Sequence, residues 1–172
     1  MVRGAPCRSH LHAVTSSNAL RYAFDASADE QTRRTMLLQN ASFVPLFRQA
    51  LGKADDRRID KLEAEAPGAG GKSGVAEIFA EASRDRMAAA RKALSYLQQN
   101  PQPRDLIDMA RLLVFLKGND AHDYKFSSAL LEDWDRLSSP WRERYLAAGM
   151  FLLRGSGGPD NKLVQRTRAA MA

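Results

Sequence analysis

The chain of 172 residues has one cysteine, three histidines and no long apolar run. A single cysteine, Cys7, forms no internal disulfide, which indicates a reducing cytoplasm. No apolar stretch approaches the roughly 18 residues that a membrane-spanning helix needs. The first residues, 1–7, lack the apolar stretch of a secretory signal. The sequence therefore predicts a soluble, cytoplasmic protein without a membrane segment.

The formal net charge of +6 at pH 7 permits binding to anionic partners. Most of the basic residues stand one helical turn from an Asp or a Glu, which is typical of a solvated helix face. The sequence contains no run of five like charges and no recognisable DNA- or RNA-binding motif. Charge therefore gives no specific nucleic-acid signature and identifies no partner.

Helical periodicity predicts the fold class. Apolar residues recur at helical spacing from Val75 to Gln99, which predicts one long amphipathic helix. Another helix is predicted over 105–117, after a segment with two prolines. No segment alternates with period two for long enough to be a strand. The sequence predicts an all-α fold in which residues 1–172 form a single domain, an orthogonal array of about six to eight helices.

Capping and breaking residues predict where the helices begin and end. Thr15, Ser16 and Ser17 are N-cap residue types, and they predict a helix that begins after them. Pro45 predicts a kink or a restart in the next helix. The composition of residues 66–74 predicts a flexible loop.

Residues 66–73 also fit a permissive phosphate-loop pattern that ends in Gly71-Lys72-Ser73. Such a loop holds phosphate when a strand delivers it to a helix N-terminus. The preceding residues, 60–65, look charged and helical, and no later apolar strand ends in an Asp for magnesium. The pattern therefore favours a connector over a nucleotide site.

The three histidines lie in two short polar segments. His10 and His12 stand two residues apart, and His122 lies between Asp120 and Asp123. Imidazole is the side chain that most readily ligates metals and moves protons near neutral pH. If the two segments converge, the predicted metal ligands are His10, His12, His122 and Asp123.

Around His122 the sequence leaves two roles open. Asp120 or Asp123 is predicted to cap a helix, and the dipole at that helix N-terminus favours a neutral imidazole that ligates metal or accepts a proton. Tyr124 and Lys125 add a phenol and a cation within one turn. In the alternative, the carboxylates only cap the helix and the imidazole satisfies a loop carbonyl.

Two groups of residues resemble the questin oxidase-like family. The first is 12–21 with 36–40, and the second is 120–126; they contain the His-x-x-Thr and Asp-x-His-x-x-Lys elements. The resemblance implies a helical oxidoreductase that opens the ring of a polyketide anthraquinone by a Baeyer–Villiger-type reaction. It also implies that this chain corresponds to the C-terminal part of a longer protein.

The resemblance places His12, Thr15, His122 and Lys125 at a catalytic site. An imidazole base there would deprotonate a phenol or a peroxide, and the lysine would stabilise the resulting oxyanion. The implied substrate is an aromatic or quinone-type small molecule. The sequence has no glycine-rich dinucleotide fingerprint, so it does not support a bound flavin, and the cofactor stays unknown.

Two further functions stay open beside the oxidoreductase. One is a small metal-binding helical protein that uses the four ligands named above. The other is a non-catalytic interaction domain, because aromatic residues with arginine favour interfaces. Its predicted partner surface consists of Trp134, Trp141, Arg142, Arg144 and Tyr145. Core packing is the alternative role for both tryptophans, and the sequence predicts no oligomeric state.

Overall fold

The computed structural model describes residues 8–50, 58–68, 70–138 and 141–172, without the side chains of residues 8–10. This part of the chain contains eight α-helices, two short 3-10 helices and no strand. The α-helices are α1 (Arg8–Ala26), α2 (Glu30–Ala50), α3 (Gly71–Glu81), α4 (Arg86–Gln99), α5 (Arg104–Lys117), α6 (Ala121–Asp133), α7 (Trp141–Ala148) and α8 (Lys162–Met171). The 3-10 helices are Ile59–Lys61 and Gly149–Phe151. The predicted all-α fold and the predicted helix over 105–117 are confirmed.

The contacts divide the chain into two compact units, Met1–Arg57 and Arg58–Ala172. Each unit has its own set of internal contacts and is described by itself. That the whole chain acts as a single domain stays a prediction. Cys7 lies outside the described residues.

In the first unit, α1 and α2 pack against each other as an antiparallel hairpin. Near its middle, Ser17 Oγ donates a hydrogen bond of 2.8 Å to Asn40 Oδ1. Near its connection, the guanidinium of Arg33 lies 4.3 Å from the centre of the Phe24 ring. Both pairs join residues on opposite helices with similar summed numbers, which is the register of an antiparallel pair.

The predicted start of the first helix after residue 17 is wrong, because α1 already includes residue 8. Thr15 lies inside this helix, and its hydroxyl donates to the carbonyl oxygen of Leu11 at 3.0 Å. A Ser or Thr hydroxyl that bonds to the carbonyl four residues earlier is compatible with a helix interior. N-cap residue types at 15–17 therefore gave a false boundary.

The predicted restart at Pro45 is also wrong, because α2 runs through this residue to Ala50. Proline removes one backbone N–H and leaves the carbonyl four residues earlier without its usual donor. Both Pro45 and Ala41 are exposed. Water can therefore satisfy the carbonyl of Ala41, and the helix continues.

The second unit is built around α4, which packs against α3 and α7, while α5 packs against α3 and α6. These helices bury one apolar core. Its largest fully buried side chains include Phe79, Leu94, Leu97, Leu106, Leu130, Leu146 and Met150. Core residues come from α3 through the 3-10 helix at Gly149–Phe151, so these elements fold as one packed body.

The long helix predicted from Val75 to Gln99 is wrong, because the chain turns between α3 and α4. Asp85 caps α4: one carboxylate oxygen accepts hydrogen bonds from the backbone N–H groups of Met87 (2.8 Å) and Ala88 (3.0 Å). An aspartate in this position is among the strongest helix-start signals. The apolar pattern continued across the turn and concealed it.

A loop from the far end of the chain fixes this turn. Ser156 N–H donates to the carbonyl oxygen of Phe79 at 2.9 Å, and Gly157 N–H donates to Ser83 Oγ at 2.8 Å. Gly155 lies so close that a Cβ there would stand 2.7 Å from the backbone nitrogen of Ser83. Only glycine fits at that position, and the turn between α3 and α4 is completed by residues 155–157.

Candidate functional site

The start of α6 contains His122, a predicted metal ligand and catalytic residue. Asp120 is the N-cap, and its Oδ1 accepts from the backbone N–H groups of His122 (2.8 Å) and Asp123 (3.3 Å). These two bonds hold the pKa of the Asp120 carboxyl below its ordinary value. The Nδ1 atom of His122 lies 3.5 Å from the same oxygen. The prediction that a carboxylate caps a helix beginning beside His122 is confirmed.

Asp123, a predicted metal ligand, has both carboxylate oxygens engaged in the fold. Arg154 binds it in a two-pronged pair, with Nε to Oδ1 at 2.9 Å and a terminal nitrogen to Oδ2 at 2.6 Å. Oδ2 also accepts from the backbone N–H of Asn119 at 2.8 Å. To bind Asp123, a metal ion would have to displace Arg154, which donates to both carboxylate oxygens. These contacts favour the capping role over the ligand role for Asp123.

Arg154 also lies near a second arginine, Arg86. The guanidinium of Arg86 donates to the carbonyl oxygens of Met150, at 2.9 Å, and Leu153. Burial lowers the pKa of Arg86, and the positive charge of Arg154 adds to this effect. The hydrogen bonds of Arg86 thus join the beginning of α4 to the end of the 3-10 helix at Gly149–Phe151. Nothing local in the sequence signals these contacts, because the partners are far apart along the chain.

His12 and Thr15 lie in α1 of the first unit. The ring of His12 stacks on that of Phe47, with centroids 6.2 Å apart and an interplanar angle of 27°. The Thr15 hydroxyl is engaged with the backbone of its own helix, as described above. His10 also lies in α1, and its side chain lies outside the described residues.

The four predicted catalytic residues are divided between the units. His12 and Thr15 belong to the first, and His122 and Lys125 belong to the second. Within α6, His122 is partly buried and Lys125 is exposed. That the two histidine segments form one site stays a prediction, as does the role of Lys125.

Among the described side chains, no group of three or more His, Cys, Asp or Glu residues is placed to hold a metal ion. The side chain of His10 is not among them. The metal site proposed for His10, His12, His122 and Asp123 therefore stays a prediction, and the engagement of Asp123 with Arg154 weighs against it.

The phosphate-loop pattern does not lie in a phosphate-binding context. α3 begins at Gly71, so the last part of the predicted loop 66–74 is helical, with Lys72 and Ser73 exposed in its first turn. The preceding residues form only a 3-10 helix and irregular chain, and the described part contains no strand that would deliver such a loop. Residues 60–65 were predicted to be helical, and only residues 60 and 61 are, in the 3-10 helix Ile59–Lys61.

A small cavity lies beside this segment, between α3 and α4. Its volume of about 40 Å³ suits one or two water molecules and excludes a nucleotide. Its charged lining residues are the carboxylates Glu65 and Glu77 and the single cation Lys92, which is not the cationic lining that phosphate needs. None of the predicted catalytic residues lines this cavity.

The residues predicted to form a partner surface surround the junction of α6 and α7. Trp134 is buried, and the guanidinium of Arg142 lies 4.2 Å from the centre of its ring. Tyr145 Oη donates to Asp133 Oδ2 at 2.8 Å. Burial raises the pKa of the Tyr145 hydroxyl, and the negative charge of Asp133 raises it further. Trp134 is thus a core residue, as the alternative reading of the sequence predicted.

Trp141 behaves differently from Trp134. It begins α7 and is 47% exposed. The sequence pattern did not distinguish the two tryptophans, since both stand in charged helical segments. Asp133, which anchors Tyr145, was missed because its partner lies 12 positions away on another helix.

Comparison with known proteins gave no match to this chain among protein-family models, curated proteins or solved structures. The resemblance to questin oxidase-like proteins therefore stays a prediction from short motifs. Within the described residues, no helix is long and apolar enough to cross a membrane.

Proposed function

We propose that this chain is a non-catalytic helical protein-interaction domain. The observation that carries the proposal is the exposure of Trp141 at the start of α7, a helix that a hydrogen bond holds against α6. Tryptophan and arginine are the residue types that contribute most often to binding hot spots. A large aromatic side chain left half exposed at a helix start supplies such an anchor.

The surface around Trp141 is held in place from both neighbouring helices. Arg142 stacks on Trp134 and lies 3.6 Å from Asp135 at the end of α6. The Tyr145–Asp133 hydrogen bond forms a second tie between the helices. A surface whose side chains are already ordered loses little conformational entropy on binding. This favours an anchor that is presented to a partner in one geometry.

The partner that this surface fits is a protein with an apolar pocket for Trp141 and charges of both signs at its rim. Arg142 and Arg144 on α7 stand on either side of Glu143, and Arg142 is paired with the exposed Asp135. Opposite charges at a rim accelerate association and select among partners. A cytoplasmic location is part of the same proposal, and it rests on the single cysteine.

The oxidoreductase hypothesis stays a prediction beside this proposal. Its residues His12, Thr15, His122 and Lys125 would have to surround a substrate cavity, and the cavity between α3 and α4 contains none of them. Thr15 is bonded to its own helix, and the carboxylate between His122 and Lys125 is bonded to an arginine. These contacts give Thr15 and Asp123 structural roles, and the catalytic roles of His12, His122 and Lys125 stay predictions.

A photo-crosslinking amino acid in place of Trp141 tests the proposal in the cells that produce the protein. The control places the same amino acid at Gln98, an exposed position on α4. We expect a crosslinked protein that is specific to position 141, which is then purified and titrated against the wild-type chain. Trp141→Ala should weaken that affinity by about tenfold or more, and Gln98→Ala should leave it unchanged.

Two results would contradict the proposal. One is that position 141 gives no crosslinked protein beyond those found at position 98. The other is that the purified partner binds Trp141→Ala as tightly as the wild type. Circular dichroism of both variants shows that a loss of binding does not come from unfolding.

A further inference from the structure

The last helix, α8, is exposed along most of its length. Every residue from Gln165 onward is exposed, and the large side chains Leu163 and Met171 are 69% and 82% exposed. A helix of ten residues is marginal in water without tertiary packing. We therefore expect another surface to cover α8.

Three of the exposed apolar residues of α8 share one side. Leu163, Ala170 and Met171 are separated by seven and eight positions, which places them on one helix face. Arg166 stands three positions after Leu163 and four before Ala170, at the edge of the same face. The face thus combines an apolar centre with a basic edge.

A second apolar surface lies on α5 and α6. Its residues, the aromatic patch, are Leu112, Phe115 and Tyr124, which are 51%, 65% and 38% exposed. The rings of Phe115 and Tyr124 are 6.2 Å apart between centroids, so the patch is continuous. Contiguous exposed apolar side chains of this kind mark interaction sites.

The edges of the aromatic patch carry charges of both signs, because Arg111 and Lys125 are exposed there beside Asp108 and Asp120. Asp108 lies four positions before Leu112 on α5, and Asp120 lies four positions before Tyr124 at the start of α6. Their side chains are 71% and 57% exposed. Asp108 is 3.5 Å from Arg111, a solvent-exposed ion pair of small energetic value. Asp108 and Asp120 therefore offer an opposite charge to Arg166 at the edge of an apolar patch that suits the apolar face of α8.

α8 begins next to the backbone of the aromatic patch. Asn161, its N-cap, donates from Nδ2 to the carbonyl oxygens of Phe115 (2.7 Å) and Gly118 (3.1 Å). The backbone N–H of Asn161 donates to Leu116 O at 2.7 Å. These bonds fix the first turn of α8 at the end of α5, while its own apolar face stays exposed.

We propose that two copies of the chain form a symmetric dimer in which α8 of each copy packs on the aromatic patch of the other. Both surfaces lie on every chain, and a two-fold axis pairs each helix with the partner's patch. Arg166 of one copy would then meet Asp108 or Asp120 of the other. This inference goes beyond the proposed function and does not involve Trp141.

The area is sufficient for a stable dimer. Each copy contributes five large, partly exposed side chains, and covering them on both copies removes roughly 1,200 Å² from water. Specific interfaces bury about 1,000 Å² or more in total. The side chains are Leu112, Phe115, Tyr124, Leu163 and Met171.

Sedimentation equilibrium over a wide range of concentration tests the dimer with the full chain. We expect the wild type to reach twice the monomer mass, and we expect Phe115→Glu and Met171→Glu each to weaken dimerisation by tenfold or more. Gln98→Glu is the matched control, because it introduces the same charge on an exposed residue of α4 outside both surfaces. Its dimerisation should equal that of the wild type.

Mixing the two weakened variants tests the reciprocal arrangement. A heterodimer of Phe115→Glu and Met171→Glu retains one intact contact, between α8 of the first variant and the patch of the second. Because one glutamate already disables a contact, a second glutamate in the same contact costs little more, and the mixture should form more dimer than either variant alone. A wild type that stays monomeric overturns the proposal, as does a dimer that is insensitive to both substitutions, or a mixture without recovery.

Discussion

Replacing Gly155 by alanine tests whether the loop at 155–157 fixes the turn between α3 and α4. A Cβ at this position would stand 2.7 Å from Ser83 N and 2.9 Å from Phe79 O, and it would also meet Ser83 Oγ. Two of these three atoms belong to the backbone, and Phe79 is fully buried. Neither helix end can therefore move away without disturbing the core.

The expected loss of stability combines two effects. Overpacking a buried position costs about 1–3 kcal/mol. Moving the loop away weakens the hydrogen bonds of Ser156 and Gly157, each of which contributes about 1 kcal/mol. We expect Gly155→Ala to lower the free energy of unfolding by about 3 kcal/mol, which corresponds to a fall in Tm of about 10 °C.

Urea and thermal unfolding followed by circular dichroism measure this change. Gly68→Ala is the control, because no atom lies within 4 Å of a Cβ built there. Adding Ser83→Ala should not rescue Gly155→Ala, because the two backbone contacts remain. A Gly155→Ala protein within about 0.5 kcal/mol of the wild type, or a full rescue by Ser83→Ala, would refute the reasoning.

Three other predictions concern single side chains. Asp85→Ala should lower the free energy of unfolding by about 1 kcal/mol in urea titrations, and Asp85→Asn, which keeps the cap, should cost much less. Lys117 and Arg168 hold the pKa of Asp160 below its ordinary value of 3.8, so its stabilising contribution is present above that pH and is lost as the pH falls below it. Stability curves measured towards acid should therefore fall less steeply for Asp160→Asn than for the wild type. Elemental analysis should find no stoichiometric metal in the wild type or in His122→Ala; metal that is lost on substitution would make His122 a ligand and revive the metal-site hypothesis.

The helical fold was predictable because its signals are local. Apolar spacing and the proline-rich segment before Arg104 predicted α5, and Asp120 predicted the start of α6. The turn at Asp85 was missed although Asp85 itself is a capping residue. The apolar residues keep helical spacing from α3 into α4, so the pattern does not show the turn. The loop that contacts this turn lies about 70 positions later in the chain.

The candidate site was less predictable because it depends on distant pairs. No local pattern shows that Arg154 occupies the carboxylate of Asp123, or that Arg142 covers Trp134. Chemical residue types alone therefore suggested a metal site at residues that the fold uses for capping and ion pairing. Exposure, which separates Trp141 from Trp134, is likewise a property of the folded chain.

The bonds from Arg86 to the carbonyls of Met150 and Leu153 also constrain when the second unit can fold. They join residues 64 and 67 positions apart, so the N-terminal end of α4 is anchored by a segment that leaves the ribosome much later. Closing so long a loop costs entropy before the contact is formed, which slows folding. During synthesis, the apolar side chains of α4 that α7 and the 3-10 helix at Gly149–Phe151 cover must therefore stay exposed until those segments have emerged.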